Sequence, residues 1–410
     1  MKSPLRILWL KTGPLHPLDT GGKLRTYNML QELNRRHPVH YVSLCPPETD
    51  AATRAAAGEY SQAQTWIPWR ERRKGSVGFY AELAANLGSG LPYVIAKYRS
   101  RAMTAAVRRL AASHDLVVCD FLTPAVNLRG AGVELPSLLF QHNVEALIWQ
   151  RLRDNARGWL KRRYITAQWR RLARFEREAA ADFDGVVAVS EEDAALMRRD
   201  YALGNVLGAV PTGVDTESYQ PPTGPRPPQT LVFLGSMDWL PNIEGIRWFA
   251  ETGWPLLRQK HPAATLTIVG RRPTAAVREL AARDPSIRVT GTVDDVRPHL
   301  AQAAVMIVPL RVGGGTRIKI FEGMATGIPV VSTRIGAEGL AVADGEHLLL
   351  ADTPAELAAA VGGLWARPGG AQRMGAAGRE LVRSRFSWPK VTDVFEQYCL
   401  AVAGRERKTA

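Results

Sequence analysis

Cysteine is nearly absent. Cys45, Cys119 and Cys399 are the three in 410 residues, far apart, with no C-x-x-C spacing and no histidine partner nearby. That argues against a disulfide framework and a zinc site, and fits a reducing compartment. Long apolar runs are missing too. No stretch approaches the ~18 consecutive apolar residues of a membrane-spanning helix, so any membrane contact is expected to be peripheral. Near the start an apolar run covers only residues 7–10 before Lys11. This is shorter than the ~7 to 15 residues of a secretory h-region, and no signal peptide is expected. Acidic residues are outnumbered, 39 against 53 basic ones, for a net charge of +14. The ligand or the partner surface is therefore expected to be anionic.

What is present is an ordinary globular mixture, 46% hydrophobic and 22% charged, which points away from disorder and from fibrous classes. At ~100 to 200 residues per domain the length implies two domains. Short β-type runs at 6–10, 39–44, 116–119, 138–141 and 186–190 alternate with helical patterns such as 23–36. Strands alternating with helices imply βαβ units and a parallel sheet. Residues 211–229, rich in proline, glycine and polar side chains, interrupt the pattern as a linker. The alternation restarts with strands at 231–234, 266–269, 287–289, 305–308 and 329–332 and helices at 243–257, 275–282 and 318–325. A last helix, 387–402, carries Val391, Val394, Phe395 and Tyr398 on one face. The expected fold is α/β, with two doubly wound Rossmann-like domains facing across a cleft: residues 1–210, and residues 230–385 after the linker. Residues 386–410 form a terminal helix able to cross back to the first domain. Such sheets bind ligands outside the carboxyl ends of their strands.

Residues 309–332 carry the clearest chemistry. A buried strand ends at Pro309. Gly313, Gly314 and Gly315 then let the backbone approach a ligand, and Thr316 is a good N-cap for a helix opening at Arg317. Arg317 and Lys319 set two cations in the first turn against the positive end of the macrodipole, a conflict of a few tenths to ~1 kcal/mol each. An anion between them removes the conflict, and a diphosphate suits glycine amides, a helix start and two cations together. Taken alone, the two side chains equally suit solvated surface charges, with Lys319 paired to Glu322 at i+3.

These residues bring a family into view. Gly21-Gly22 near the start, Ala188-Val189-Ser190, Pro211-Thr212-Gly213-Val214-Asp215 and the run from Phe321 through Glu322 to Val331 occur in an order and spacing that resembles family 4 of the glycosyltransferases, retaining enzymes of GT-B fold. The resemblance implies that Glu322 holds the ribose hydroxyls of a nucleotide-sugar donor, while Arg317 and Lys319 hold its diphosphate. The family often carries two glutamates with seven residues between them, whereas Gly314 stands at the first position here. Backbone amides are the expected substitute. Many relatives carry an Arg and a Lys after the first strand of the second domain. This chain has the loop beginning Gly235-Ser236 there, so Arg317 and Lys319 are expected to supply the missing charge.

Further candidates follow other strands. Gly21 and Gly22, with Lys23 behind them, allow backbone approach to phosphate or sugar, although an isolated Gly-Gly is more often a turn. His142, after the strand ending at Gln141, lines the donor-sugar pocket by resemblance, with Glu145 beside it. A lone histidine there is otherwise a cap or a core hydrogen-bonder. Gly270-Arg271 and Val293 occupy positions where the family encloses the nucleobase. Asp182 and Asp184 match a metal-binding Asp-x-Asp of another glycosyltransferase fold, but they precede a strand rather than follow one and read as a helix terminus. No metal and no cofactor beyond the donor is expected.

Two segments are basic and rich in tryptophan: residues 149–177, with Trp149, Trp159 and Trp169 and cations through Arg177, and residues 66–74, with Trp66, Trp69 and Lys74. Basic helices with interfacial aromatics suit an anionic membrane surface; a solvated helix with its tryptophans buried suits the pattern equally. No nucleic-acid reader motif accompanies the charge. The expected protein is a metal-independent glycosyltransferase of hexosyltransferase type, cytoplasmic or peripheral at the inner face of the cell membrane. It would act on a saccharide, lipid-linked or small-molecule acceptor in polysaccharide or glycolipid assembly. An epimerase or phosphorylase on the same fold, and a non-catalytic binding protein, are the alternatives.

Overall fold

The computed structural model describes residues 3–154, 156, 158–237, 239–312 and 318–404. The chain divides into two compact units, one formed by the residues up to Pro211 together with those from Val391 on, the other by Thr212–Lys390.

The first unit holds a seven-stranded parallel sheet. Its strands are β1 (Ile7–Lys11), β2 (Val39–Cys45), β3 (Ala63–Pro68), β4 (Leu116–Asp120), β5 (Ser137–Phe140), β6 (Gly185–Ala188) and β7 (Val206–Ala209), in the order β3-β2-β1-β4-β5-β6-β7. The second holds six, β8 (Thr230–Leu234), β9 (Thr265–Val269), β10 (Ile287–Val289), β11 (Val305–Val308), β12 (Val330–Ser332) and β13 (Leu349–Leu350), in the order β10-β9-β8-β11-β12-β13. All the registered pairs are parallel. β1 and β4 are buried along their whole length, as strands covered on both faces must be. Strand order reverses between β1 and β4 in one sheet and between β8 and β11 in the other. Those two switch points are where an open sheet leaves a crevice.

The helices that matter below are α1 (Gly21–Asn34), α2 (Val77–Leu87), α3 (Glu145–Asp154), α4 (Trp159–Asp182), α5 (Leu240–Trp248), α6 (Ile318–Ala325) and α7 (Trp388–Ala403). Two depart from the expected bounds. α1 starts at Gly21, capped by the Thr20 side chain, so the glycine pair forms its first turn rather than a loop ahead of it. α5 starts three residues early, with Pro241 in its first turn, where a missing N–H costs nothing. α7 buries Val391, Phe395, Cys399 and Val402; Val394 and Tyr398, expected on that face, are half-buried at its sides.

Phe395 anchors α7 on the first sheet. Its ring lies 4.9 Å from Phe140 and 5.7 Å from Trp9, centroid to centroid, and the side chain is wholly buried. Arg36 adds an ion pair to Glu396 at 2.5 Å and His37 Nε2 a hydrogen bond to it at 2.8 Å. Truncating a buried phenylalanine removes its transfer energy and leaves a cavity. Phe395→Ala is therefore expected to lower stability by about 3 to 5 kcal/mol in urea unfolding, and an unchanged midpoint would contradict this docking.

Candidate functional site

In the second unit the residues after β8 and those on α6 meet at the switch point. Lys319, in the first turn of α6, points its ammonium at Asn242 of α5, with Nζ 2.6 Å from Oδ1, and lies over the Phe233 ring at 4.9 Å. The Asn242 amide in turn donates to the Ser236 carbonyl at 2.9 Å. Arg271 Nε donates to Ser236 Oγ at 2.8 Å. Gly270 allows this closeness, since a Cβ there would stand 1.8 Å from the Gly235 carbonyl oxygen. Lys319, Asn242, Gly235, Ser236, Gly270 and Arg271 thus share one cluster. Gly313, Gly314, Gly315, Thr316 and Arg317 lie outside the described residues.

Glu322 sits one turn along α6 from Lys319. Burial pushes its carboxyl above the usual range, opposed by a hydrogen bond from Tyr219 and by the Lys319 charge. The Tyr219 hydroxyl donates to Oε1 at 3.1 Å, and Glu322 and burial together hold the phenol well above its ordinary pKa, burial being the larger effect. Val293 packs half-buried against the core between β8 and α6.

In the first unit the switch point carries a buried charge cluster. Asp120 ends β4 and is fully buried. Its Oδ2 receives Lys11 Nζ at 2.5 Å, Thr26 Oγ1 at 2.6 Å and Trp9 Nε1 at 3.2 Å, while His142 Nε2 lies 2.8 Å from Oδ1. Burial works to raise the Asp120 carboxyl, but Lys11 and His142 outweigh it and hold the group far below the usual carboxylate range. Burial pushes the His142 imidazole down to about 4, against the pull of Asp120, so it is neutral at pH 7. Burial likewise lowers Lys11, with Asp120 opposing, and takes the Arg25 guanidinium down to about 10.

Phe121, the next residue, adopts φ +75°, a costly conformation for a bulky side chain and one concentrated at functional positions. Its ring stacks on His142 at 3.8 Å and 21°. On its other side it abuts α1, where a Cβ on Gly22 would come within 2.9 Å of the ring. Gly22 and His142 are therefore joined through Phe121, a link absent from the sequence reading. Lys23 is turned aside, paired with Asp19 at 2.9 Å and bonded to the Pro17 carbonyl at 3.1 Å. Glu145 opens α3, and its carboxyl is raised mainly by burial. The residue that organises this turn is Glu176 of α4. It accepts the Glu145 and Ala146 backbone N–H groups at 2.7 and 2.9 Å, Gln141 Nε2 at 2.5 Å and the Tyr201 hydroxyl at 2.7 Å. Asp182 closes α4 and pairs with Arg129 at 2.6 Å, while Asp184 accepts from the Ser137 backbone and hydroxyl.

Of the two basic segments, residues 66–74 use their tryptophans internally. Trp66 meets Tyr41 at 5.8 Å, and Trp69 stacks on Tyr98 and donates to the Lys97 carbonyl. The longer segment forms α3 and α4. The inner face of α4 buries Gln168, Leu172 and Phe175, but Trp159 is 71% exposed and Leu160 65%. Trp159, Arg162, Arg163 and Arg170 border a shallow groove of about 430 Å³. On α2, tied to α4 by Arg171 bonds to the Asn86 and Leu87 carbonyls, Val77, Tyr80 and Leu87 are also exposed.

Both units match known glycosyltransferases. Residues 20–218 match the Glycosyltransferase Family 4 model and residues 228–367 the Glycosyl transferases group 1 model. A similar curated protein, an MMP alpha-(1->4)-mannosyltransferase of Mycolicibacterium hassiacum, is 29% identical over 245 residues, 58% of each chain. The match thus spans little more than half of that relative's length. A GDP-mannose-dependent alpha-(1-6)-phosphatidylinositol monomannoside mannosyltransferase of Mycobacterium tuberculosis is 27% identical over 69% of this chain and 75% of its own. A glycosyltransferase structure from Rickettsia africae ESF-5 superposes with a TM-score of 0.69 at 14% identity, covering 99% of this chain and 100% of the other. The fold is GT-B, built of two Rossmann-like domains. The chain belongs to family 4 of the glycosyltransferases.

Glu176 yields a pH test. Burial raises its carboxyl from 4.5 to about 7, against hydrogen bonds from Tyr201, Ala146 and Glu145. A folded-state pKa above the unfolded one contributes stability below the unfolded value, and that contribution is lost as pH rises through the folded value. Glu176→Gln cannot ionise, so relative to the native chain it is expected to gain about 1 to 3 kcal/mol between pH ~4.5 and ~8. Urea midpoints across that range measure this, and a pH-independent difference would overturn it.

Proposed function

We propose that this chain transfers a sugar from a nucleoside diphosphate sugar to an acceptor hydroxyl, with retention of anomeric configuration, in polysaccharide or glycolipid assembly. The observation that carries the reading is the cluster at the β8/β11 switch point, where Lys319 and Arg271 converge on the Ser236 loop beside the half-buried Glu322. A leaving diphosphate gains charge in the transition state, and fixed cations aimed at it lower the barrier. Lys319 and Arg317, with the amides of Gly313 to Thr316, take that role, and the chemistry then needs no metal or further cofactor. Glu322 accepts the ribose hydroxyls, with Tyr219 holding one carboxylate oxygen. Gly235, Gly270 and Val293 enclose the nucleotide, and His142, supported by Gly21 and Gly22, serves the transferred sugar. No enzymic nucleophile is nominated. An epimerase on this fold would turn over donor without acceptor, which distinguishes it.

Lys319→Ala is expected to lower kcat/KM for the donor by about 100- to 1,000-fold. Glu322→Ala is expected to weaken donor binding by about 10- to 100-fold. Both should leave the unfolding midpoint nearly unchanged. Steady-state kinetics with a panel of donors, beginning with GDP-mannose because a mycobacterial relative's name carries it, measures both, and unaltered kinetics in the two variants would refute the cradle.

We also propose that the protein works at the inner face of the cell membrane, docking by Trp159, Leu160 and the arginines of α4. Amphipathic basic surfaces gain about 1 kcal/mol per Lys or Arg near anionic lipid, and the phosphatidylinositol in the same relative's name fits a lipid-linked acceptor. Flotation with phosphatidylserine vesicles is expected at about 0.1 M salt and lost at about 1 M. Absence of salt-sensitive binding would sink this part.

A further inference from the structure

Helix α2 is built inside out. From Val77 to Leu87 it holds one carboxylate, Glu82, and one amide, Asn86, among apolar residues. On a helix at a protein surface such polar side chains belong toward water and the apolar ones toward the core. Here the arrangement is reversed. Asn86 is buried, with Oδ1 accepting from Gln168 of α4 at 3.1 Å and Nδ2 donating to the Leu91 carbonyl at 3.0 Å. Glu82 accepts from the Tyr93 hydroxyl at 3.0 Å and from Arg72 Nε at 3.2 Å. Tyr93 is in turn tied to α4, its backbone N–H donating to Gln168 Oε1 at 2.7 Å. With both polar groups turned to the protein, the opposite side presents Val77, Tyr80, Ala81, Ala84, Ala85 and Leu87, all exposed, Val77 by 87%, Tyr80 by 60% and Leu87 by 61%.

A single exposed leucine is ordinary. A whole helix side without a charge, held outward by the bonds of its polar side, marks a contact surface. The charges around it indicate the partner. The stretch leading into α2 carries Arg70, Arg72, Arg73 and Lys74 against Glu71, all exposed, and Ser76 caps the helix directly after them. α4, bonded to α2 through Gln168 and Arg171, adds exposed Lys161, Arg162, Arg163 and Arg170. An apolar strip bordered by cations fits an anionic bilayer, which takes aliphatic side chains among its acyl chains and cations at its headgroups.

We propose that α2 is an interfacial helix that lies in the plane of an anionic lipid bilayer, with Val77, Tyr80 and Leu87 entering the apolar layer and the cations of residues 70–74 at the lipid phosphates. This rests on the membrane docking of α4 for the partner, and on the inverted α2 for the element that enters. Tyr80 suits the boundary, having an apolar ring and a polar tip. Three apolar side chains fall short of stable anchoring by themselves, as a single acyl chain does. Charge therefore brings the protein to the surface, and α2 sets its depth.

The test measures depth. The three native cysteines are buried, so a thiol-reactive, polarity-sensitive fluorophore is directed to an introduced one. Labelled Val77→Cys and Leu87→Cys are expected to shift their emission to the blue on vesicles of phosphatidylserine with phosphatidylcholine, and to be quenched by a nitroxide carried on the acyl chains. Ala112→Cys, exposed ahead of β4, is expected to show neither effect, and vesicles of phosphatidylcholine alone are expected to shift none of the three. Val77→Gln together with Leu87→Gln keeps every charge and is expected to weaken binding to the anionic vesicles about tenfold, with the urea midpoint unchanged. Vesicle binding with both α2 probes unshifted, or undiminished binding by the glutamine pair, would overturn the insertion of α2 and leave docking by α4 standing. No binding of the native protein to either vesicle would sink the membrane reading and the insertion with it. A doubled mass in sedimentation that the glutamine pair abolishes would assign the face to a second copy of the chain and overturn the lipid assignment.

Discussion

The first unit depends on the contact between Lys11 and Asp120, 2.5 Å long and closed to water. Removing both charges from water costs several kcal/mol per ion, and the pair survives only when every remaining donor and acceptor is used. Here the supply is complete on one side: Thr26 bridges the ammonium and the carboxylate, and Trp9 adds an indole N–H. The partners come from three elements, Lys11 and Trp9 from β1, Thr26 from α1 and Asp120 from β4. The pair therefore fixes the β1/β4 switch point and the start of α1 at once. It stands where a ligand-binding sheet opens, so the stability of the sheet and the geometry of the site are set by the same atoms.

The second unit solves a different problem. The cluster that we propose as its diphosphate site gathers two cations about the Ser236 loop. Lys319 donates to a neutral amide and lies over an aromatic face, contacts that orient an ammonium. Arg271 is held by a hydroxyl. Asn242 engages the Lys319 ammonium and Tyr219 the Glu322 carboxylate.

This division explains what was legible in the sequence. Interior strands are apolar runs because helices cover both faces, so their alternation with helices is plain in the chain. β3, β7 and β13 escape that reading, and all three lie at sheet edges, where cover is partial and the run is broken by residues such as Gln64 or Gly208. Among the site residues, Lys319, Glu322, His142 and the glycines could be found because a family pattern or a dipole argument singles them out. Asp120, Lys11, Phe121, Asn242, Tyr219 and Glu176 could not, since each acts on a distant partner, from Phe121 on His142 to Lys11 on Asp120, 109 positions away. Their one local signal was charge at the end of a buried strand, in the runs ending at Lys11 and Asp120. A buried apolar strand that closes on an ionisable side chain has no folding reason to do so, and at a switch point that mismatch is informative.

The same argument bears on the missing glutamate at position 314. A second carboxylate near the donor sugar would supply a fixed negative acceptor, and its loss leaves the hydroxyls of that sugar short of one. With Gly314 in its place, that position adds no negative charge against the diphosphate that we propose as leaving group. The excess of +14 in the whole chain is consistent with that economy: carboxylates such as Asp120 and Glu176 are buried and committed to hydrogen bonds, and cations such as Trp159's neighbours Lys161, Arg162 and Arg163 are left exposed.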